Sequence, residues 1–457
     1  MDSAGRTTDY KIDFLTQERE EMRRLTTATK ISKNVYLGNT SDAYASLVEY
    51  VTPDKRVASK GFDICIEAKD MAEIASPATL KDAETFLTGG GGGFGEISRN
   101  WFTRSLTRPI SLEFPSSTPP LLSRHHPEAI VSFCEWMYHM THSQDDDTPM
   151  SDDDSPPASM ERTILIHCQD GYTESTFLAI AYLMFAEGLS AHKAWVTLHT
   201  TLQRSFFAFD SDLQTLKGLQ FALLVRSPSP NALKELSSPC LAPPDWFVNP
   251  SFDGSFPSRI LPHMYLGNLQ HANNPEMLRT LGITKVLSIG EEVTWDHDKE
   301  REAGMELLYV DNVQDNGIDP LLDAIDPCLD FLGISLSEDA NVDTVYQAGQ
   351  KTLVHCRVGV SRSASICIAE VIRRTHLTLP RAYLFVRARR LNVIIQPNLR
   401  FMYELMKWEE LEFSRRQQLQ NNMAKGCTKS AVYKREMEWA WLCKEIADLN
   451  KTYTSTS

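Results

Sequence analysis

Short apolar runs alternate with longer amphipathic segments along much of this chain. In the C-terminal half the strand-like runs cover residues 284–289, 305–310 and 352–355, and the helix-like segments cover residues 321–332 and 364–374. Alternation of this kind predicts an α/β fold, in which a mainly parallel central sheet is flanked by helices.

Two motifs occur twice, in the same order. The sequence VYLGN at 35–39 is echoed by MYLGN at 264–268, and ILIHC at 164–168 is echoed by TLVHC at 352–356. In both copies a glycine follows the cysteine after three residues and a serine follows it after seven. The repetition predicts two copies of one domain.

The copies differ in length. Tyr36 and His167 are 131 residues apart, whereas Tyr265 and His355 are 90 apart, so the first copy carries 41 extra residues. A run of glycines at 89–93 and a stretch rich in Asp, Ser and Pro at 143–159 predict loop insertions there, and a milder insertion is expected at 335–349. The acidic stretch is interpreted as a solvated loop, with a partner-docking or phosphorylated segment as the alternative.

Prolines and polar residues suggest the domain boundaries. Residues 226–257 contain seven prolines, which we take to exclude a regular helix or a central strand and to mark a linker. We predict an N-terminal extension (1–28), a first copy (29–225), the linker (226–257), a second copy (258–410) and a helical C-terminal tail (411–457). The tail helix is expected to pack on a domain surface, with a free partner-binding helix as the alternative.

Composition narrows the class of protein. With 42% hydrophobic and 23% charged residues, the chain is typical of a folded globular protein. Its net charge of -14 disfavours binding to nucleic acid or to anionic membranes. The longest apolar run, 177–186, is too short to span a bilayer.

The cysteines and the N-terminus suggest a compartment. Nine cysteines without a C-x-x-C pair predict reduced thiols. The N-terminus lacks the basic and then apolar segments of a secretory signal. We therefore expect a cytoplasmic or nuclear location.

Cys356 lies where a strand passes through a short loop into a helix. The loop amides from Arg357 to Arg362 can converge on one centre, and the positive end of the following helix adds to their field. A cysteine at the base of such a cup should have a lowered pKa and react as the thiolate. Arg362 can hold two phosphoryl oxygens through its planar fork, so the pattern predicts attack on phosphorus.

Neighbouring residues supply further candidate roles. The Ser363 hydroxyl is placed to bond the sulfur and help the thiolate leave, and His355 is expected to orient the loop and favour ionisation of Cys356. Asp311, Asp315 and Asp319 follow a predicted strand and are candidate general acids, or otherwise turn residues.

The charge around Cys356 also points to a phosphorylated ligand. Residues 357–390 hold eight arginines and one acid, a local net charge of +7 that favours such a ligand. For Arg373, Arg374 and Arg381 an exposed helix face is the preferred interpretation.

Three separated motifs of the second copy carry a family resemblance. The sequences YLGN at 265–268, HCRVGVSRS at 355–363 and QPN at 396–398, followed by Phe401, together resemble the dual-specificity subgroup of cysteine-dependent protein phosphatases. The resemblance covers about residues 258–410. It implies a shallow pocket that accepts phosphotyrosine as well as phosphoserine and phosphothreonine, with no metal and no cofactor.

The same resemblance assigns roles to residues. It implies Cys356 as nucleophile, Arg362 as phosphate binder, Ser363 as helper in hydrolysis and Asp315 as general acid, with Asp311 as the second choice. The residues that would bind the substrate phosphate are Arg357, Val358, Gly359, Val360, Ser361 and Arg362.

The first copy departs from this pattern. Its loop, at 167–175, reads HCQDGYTES, so that Glu174 stands at the position of the arginine and Asp170 adds a second negative charge beside Cys168. These carboxylates would repel a phosphate dianion. The strand at 110–114 also leads into PSST, which offers no aspartate acid. The first copy is therefore predicted to be catalytically dead.

The tandem arrangement resembles fungal two-domain dual-specificity phosphatases. This resemblance implies a role in cell-cycle control. The resemblance implies phosphorylated proteins as substrates and a protein partner for the first copy, with a regulatory or scaffolding role. Two alternatives stay open. One is a phosphatase for a non-protein ester, such as a phosphoinositide or an RNA 5′-phosphate, and the other is a phosphoprotein-binding module with little turnover.

Overall fold

The computed structural model describes residues 12–45, 51–52, 55–56, 61–88, 109–116, 127–142, 161–237, 243–250, 252–333, 350–423 and 433–454. The three predicted insertions, at 89–93, 143–159 and 335–349, lie outside these residues. The chain divides into two compact units: Met1–Met22 together with Phe256–Ser457, and Arg23–Ser255.

The unit Arg23–Ser255, called the N-terminal unit here, contains a five-stranded sheet and a short antiparallel ribbon within the described residues. Its strands are β1 (Thr29–Ser32), β2 (Val35–Asn39), β3 (Val51–Thr52), β4 (Lys55–Arg56), β5 (Ile64–Lys69), β6 (Ile110–Pro115) and β7 (Ile164–Cys168). The sheet order is β1-β2-β7-β5-β6, and β3 pairs with β4.

The helices up to residue 255 begin with α1 (Phe14–Leu25). They continue with α2 (Thr40–Ala45), α3 (Pro77–Thr88), α4 (Pro127–Thr141), α5 (Thr176–Ala186), α6 (Ala191–Thr200), α7 (Asp210–Val225), α8 (Pro230–Ser237) and α9 (Asp245–Val248). The predicted apolar run lies in α5, where every residue is buried, as expected of a helix that is apolar on all sides. In the described parts of the chain, no helix combines the length and the apolar character that crossing a bilayer requires.

The other unit, called the C-terminal unit here, also contains a five-stranded sheet. Its strands are β8 (Ser258–Leu261), β9 (Met264–Gly267), β10 (Ile283–Ile289), β11 (Glu306–Val310) and β12 (Lys351–His355). Its helices after β9 are α10 (Leu269–Ala272), α11 (Pro275–Thr280), α12 (His297–Glu302), α13 (Leu322–Leu332), α14 (Arg362–Thr375), α15 (Leu379–Arg389), α16 (Leu399–Met423) and α17 (Trp439–Thr454).

The two sheets have the same topology. The order β8-β9-β12-β10-β11 matches β1-β2-β7-β5-β6 strand for strand, and in each sheet only the first pair is antiparallel. The central strands β7 and β12 are buried along nearly their whole length, as parallel strands covered on both faces must be. The predicted α/β fold with two mainly parallel sheets is confirmed.

The register of the second sheet determines where its loops meet. β10 pairs in parallel with both neighbours, so that Ile289 lies beside Val310 and Ser288 beside His355. The segments that follow β10, β11 and β12 therefore leave the sheet at one edge, which is the edge where open α/β sheets place their ligands.

The predicted linker contains two helices despite its prolines. Helices α8 and α9 lie within residues 226–257, and Trp246 and Phe247 of α9 are 3% and 1% exposed. Each helix begins at or directly after a proline, a position where the missing N–H costs nothing. The exclusion of a regular helix from this segment was wrong, and both helices belong to the N-terminal unit.

Both ends of the described chain contribute to the C-terminal unit. Ile12 and Phe14 lie in its hydrophobic core together with Met437 and Leu442 from the tail. Glu18 pairs with Arg387 and Glu21 with Arg389, and both arginines belong to α15. The predicted boundary at residue 410 falls inside α16, which continues to Met423.

Candidate active site

Cys356 follows β12 directly and is 3% exposed. Its Sγ accepts hydrogen bonds from the Gly359 N–H and the Ser363 hydroxyl, each at 3.2 Å. Gly359 has φ +82°, and a Cβ there would lie 2.3 Å from the Gly267 carbonyl oxygen. Only glycine fits this turn, which directs an amide at the sulfur.

These contacts decide the ionisation of the thiol. Burial alone would raise the pKa of Cys356, but hydrogen bonds from the Ser363 side chain and backbone and from Gly359 oppose burial, and the Arg362 charge adds to them. The net result is a pKa below that of an ordinary thiol. The lowered pKa favours the thiolate form of Cys356, which is the nucleophilic form.

His355 is neutral at physiological pH. Burial lowers its pKa to about 4, and Nε2 lies 2.6 Å from the Ser288 hydroxyl oxygen. Nδ1 lies 3.3 Å from the Cys356 carbonyl oxygen. A neutral imidazole places no positive charge near Cys356. If His355 favours ionisation of the thiol, it does so without an ionic interaction. Its predicted role in orienting the loop stays a prediction.

Arg362 opens α14 and is 7% exposed. One terminal nitrogen donates to Glu291 at 3.2 Å and the other to Gln314 at 3.4 Å. Gly290 has φ +67°, and a Cβ there would lie 2.2 Å from the Arg362 guanidinium. The segments after β10 and β11 thus hold the guanidinium beside Cys356 in the cup.

Asp315 lies in the segment after β11 and is exposed. Its Oδ1 accepts hydrogen bonds from the Ser361 hydroxyl at 2.9 Å and from the Asn398 side-chain amide at 2.7 Å. Ser361 belongs to the Cys356 loop, so Asp315 is bonded directly to the cup. The Asp311 backbone carbonyl accepts a hydrogen bond from the Gln314 side chain at 3.0 Å.

Further backbone contacts hold the loop from behind. The Gln396 N–H donates to the Val360 carbonyl at 2.8 Å, and the Arg390 guanidinium donates to the Val358 carbonyl at 3.5 Å. Arg357 and Val358 are exposed on the loop. The convergence of the remaining amides on one phosphate stays a prediction.

Most arginines of the +7 stretch pair with carboxylates away from the cup. The pairs are Arg373 with Asp326, Arg374 with Glu370, Arg381 with Glu436, Arg387 with Glu18 and Arg389 with Glu21. Arg373, Arg374 and Arg381 are half-buried rather than exposed, so the expected exposure of this helix face was wrong, although their partners do lie away from the cup. The net charge of the stretch therefore overstates the positive charge available to a ligand.

The loop of the N-terminal unit has the same turn. Gly171, three residues after Cys168, has φ +77°, and its Cβ would lie 2.9 Å from the Gly38 carbonyl oxygen, the equivalent of Gly267. The Ser175 hydroxyl lies 3.1 Å from the Cys168 Sγ, matching Ser363 and Cys356. The backbone of the cup is therefore retained in this copy.

A carboxylate of the chain itself occupies that cup. Asp170 Oδ1 accepts the backbone N–H groups of Tyr172 and Thr173 at 2.9 and 3.0 Å, and the Cys168 thiol donates to it at 3.2 Å. Burial raises the pKa of Cys168 to about 12, and the charges of Asp170 and Glu174 act in the same direction. This thiol stays protonated at neutral pH.

The same residues are also potential metal donors. Cys168, Asp170 and Glu174 place a thiol and two carboxylates within 4.8 Å of one another, a set that a divalent cation could use. In the structure the Asp170 oxygens already accept from Tyr172 and Thr173.

The C-terminal site matches a known family. Residues 264–411 match the family described as "Dual specificity phosphatase, catalytic domain". This part of the chain is therefore similar to the catalytic domain of that family.

Similar proteins extend the comparison. Dual specificity protein phosphatase PPS1 of Saccharomyces cerevisiae is 35% identical over 64% of this chain and 42% of the yeast protein. Human dual specificity protein phosphatase 1 is 32% identical over 35% of this chain and 39% of the human protein. The crystal structure of human DUSP28 matches 35% of this chain and 99% of its own, with 25% identity and a TM-score of 0.29.

The matched part spans well under half the length of either relative. The yeast match covers more of this chain than residues 256–457 contain, so it includes part of the N-terminal half. The resemblance to the dual specificity phosphatases, and to a fungal member among them, is confirmed; the degeneracy of the first copy stays a prediction.

Sequence reasoning missed two polar contacts of the dual specificity phosphatase domain. Glu291 and Gln314 hold Arg362, although neither was a candidate. Their positions carried a signal, because Glu291 comes two residues after β10 and Gln314 four residues after β11. Polar residues directly after neighbouring parallel strands meet at one edge of a sheet.

Proposed function

We propose that this chain is a protein phosphatase that hydrolyses phosphotyrosine and phosphoserine or phosphothreonine esters at Cys356. The observation that carries the proposal is the cup itself: a buried thiol of lowered pKa that accepts bonds from Gly359 and Ser363, with Arg362 and Asp315 held beside it. The match of residues 264–411 to the family supports the same conclusion.

In the first step the Cys356 thiolate attacks phosphorus, and the bond between phosphorus and the ester oxygen breaks. Arg362 and the loop amides stabilise the charge on the three remaining phosphoryl oxygens. Asp315 gives its proton to the leaving oxygen, so the departing group is a neutral alcohol or phenol. The enzyme then carries a phosphocysteine.

In the second step water attacks phosphorus and gives a proton to the Asp315 carboxylate. The bond between phosphorus and sulfur breaks, and the electron pair returns to the Cys356 sulfur. The Ser363 hydroxyl, 3.2 Å from that sulfur, stabilises the departing thiolate by a hydrogen bond. Inorganic phosphate is released and the starting state is restored.

The N-terminal copy is proposed to be an inactive domain with a regulatory or scaffolding role and a protein partner. Three features support inactivity: the protonated Cys168, Glu174 at the position of the arginine, and Asp170 on the loop amides. The role in cell-cycle control and the cytoplasmic or nuclear location belong to this proposal and rest on the family resemblance and on the cysteine pattern.

Substrate class is tested with the full-length chain. We expect phosphate release from phosphotyrosyl and phosphothreonyl peptides to exceed release from a phosphoinositide or an RNA 5′-phosphate, because residues 264–411 match the catalytic domain of dual specificity phosphatases and the exposed Asp315 leaves room for a peptide. The measurement is kcat/KM for all four substrates. A higher value for either non-protein ester would contradict the assignment, and one turnover without a second would indicate a binding module.

The general acid is tested by pH profiles. A general acid acts only when it carries a proton, so kcat of the parent chain should fall at high pH, and Cys356 acts only when ionised, so activity should fall at low pH. We expect Asp315→Asn to lower kcat by roughly 10²-fold and to remove the basic limb while the acidic limb persists. Asp311→Asn is the matched control and should keep both limbs. If Asp311→Asn alone loses the basic limb, Asp311 is the acid.

A further inference from the structure

The segment that carries Asp315 is fastened to α16 at two points. We call residues 311–321 the acid loop. Near its middle, Asp315 accepts the Asn398 side-chain amide at 2.7 Å, and Asn398 immediately precedes α16. At its end, the Leu321 and Leu322 N–H groups donate to Glu404 Oε2 at 2.5 and 2.8 Å. One helix therefore holds both the middle and the end of the loop.

Glu404 is built into this contact. The residue is 6% exposed, and its second carboxylate oxygen accepts from the Arg400 Nε at 3.0 Å. The two amides it binds open α13, where backbone N–H groups have no partner within the helix. A carboxylate is favourable there, because it satisfies both donors and complements the positive end of the helix.

Before Asp315 the acid loop is also held by the contact of Gln314 with Arg362 and by the buried Val313. Residues 315–318 are all exposed, and Ile318 is 71% exposed although it is apolar. Of the loop's apolar residues, Val313 and Leu321 are fully buried, and Leu321 is the residue whose amide Glu404 binds. A loop with so few buried contacts takes its position from its anchors.

The same first turns of α16 also hold the phosphate cup. The Asn398 N–H donates to the Ser361 hydroxyl at 3.3 Å, and Ser361 donates in turn to Asp315. The Asn398 side-chain oxygen accepts the Phe401 N–H and so begins the helix. The distance between acid and nucleophile is therefore set by contacts that converge on one helix end.

From these contacts we propose that Glu404 is a positioning residue for the general acid. It does not touch the substrate. It binds the end of the acid loop to α16 and so holds Asp315 above the Cys356 cup. This inference rests on the proposed phosphatase function and on Asp315 as its acid.

The test uses the full-length chain and two aryl phosphates. Loss of a general acid matters more for a basic leaving oxygen, as in phenyl phosphate, than for p-nitrophenyl phosphate. We expect Glu404→Ala to lower kcat for phenyl phosphate by roughly 10-fold or more, because a misplacement of about 1 Å can cost about 10²-fold. The p-nitrophenyl rate should fall much less. Glu404→Gln keeps an acceptor oxygen and should restore most of the phenyl rate.

Two comparisons separate positioning from a loss of folding. Lys407→Ala, an exposed change on the same helix, should leave both rates unchanged. In an Asp315→Asn background, Glu404→Ala should cause no further loss, because both changes act through one proton transfer. Thermal unfolding of each variant shows that the compared proteins are folded.

Several results would overturn the inference. They are equal losses for both substrates, multiplied losses in the double variant, or a failure of Glu404→Gln to restore the phenyl rate. If the parent chain hydrolyses neither ester, the proposed function itself fails. A normal parent rate with an unaffected Glu404→Ala variant contradicts only the role of Glu404.

Discussion

Replacing Cys356 with serine is expected to lower phosphate release from a phosphotyrosyl peptide by roughly 10⁴-fold or more, since loss of a covalent nucleophile removes the whole two-step route. A serine hydroxyl is not ionised by the contacts that lower the pKa of the thiol, namely the Gly359 N–H and Ser363. The measurement is single-turnover and steady-state phosphate release by the full-length chain.

Cys168→Ser is the matched control, because it makes the same atomic change in the equivalent cup of the N-terminal unit. Its activity should equal that of the parent chain, since Asp170 occupies that cup and the Cys168 pKa of about 12 keeps the thiol protonated. A large loss of turnover in a folded Cys168→Ser protein would contradict this division between the copies.

Arg362→Lys is expected to lower kcat/KM by roughly 10³-fold, although it preserves the positive charge. The guanidinium donates to Glu291 and Gln314 through its two terminal nitrogens, and a single ammonium cannot keep both contacts while it also binds phosphoryl oxygens. Removing one donor of this kind from a transition-state site typically costs about 10²–10³-fold.

The control for this change is Arg301→Lys on α12, where the side chain is 75% exposed and pairs with Asp298. It should leave kcat/KM unchanged. Steady-state kinetics with a phosphotyrosyl peptide decide the result, and a fully active Arg362→Lys enzyme would show that the planar fork has no special role. Inorganic phosphate as a competitive inhibitor provides a second measure, because its affinity should fall in parallel.

Local sequence predicted the strands and the cup well, because both follow from short-range patterns. β12, Cys356 and α14 were predicted within two residues at each boundary, since an apolar run, a glycine at a required turn and a helix start are all encoded locally. The repeated motifs predicted two copies of one domain, and the two sheets share one strand order.

Long-range partners could not be predicted in the same way. Glu404 lies 83 residues from Leu321 along the chain, and nothing in its local pattern distinguishes it from any other helical glutamate. The arginines of the +7 stretch were misjudged for the same reason. Their partners, such as Glu18 and Glu436, lie far away in sequence, and charge counting within one segment cannot include them.

The N-terminal and C-terminal segments that pack on the C-terminal unit affect the stability of any shorter fragment of this protein. A fragment cut at residues 264 and 411 would keep every residue of the cup but lose Phe14 and Leu442 from the core, exposing the apolar surface that they cover. Arg387, 5% exposed, would lose Glu18 and Asn450, and a buried charge without its partners is destabilising. We therefore expect this fragment to unfold at a lower temperature than the whole C-terminal unit, which is discontinuous in sequence because it joins residues 1–22 to residues 256–457.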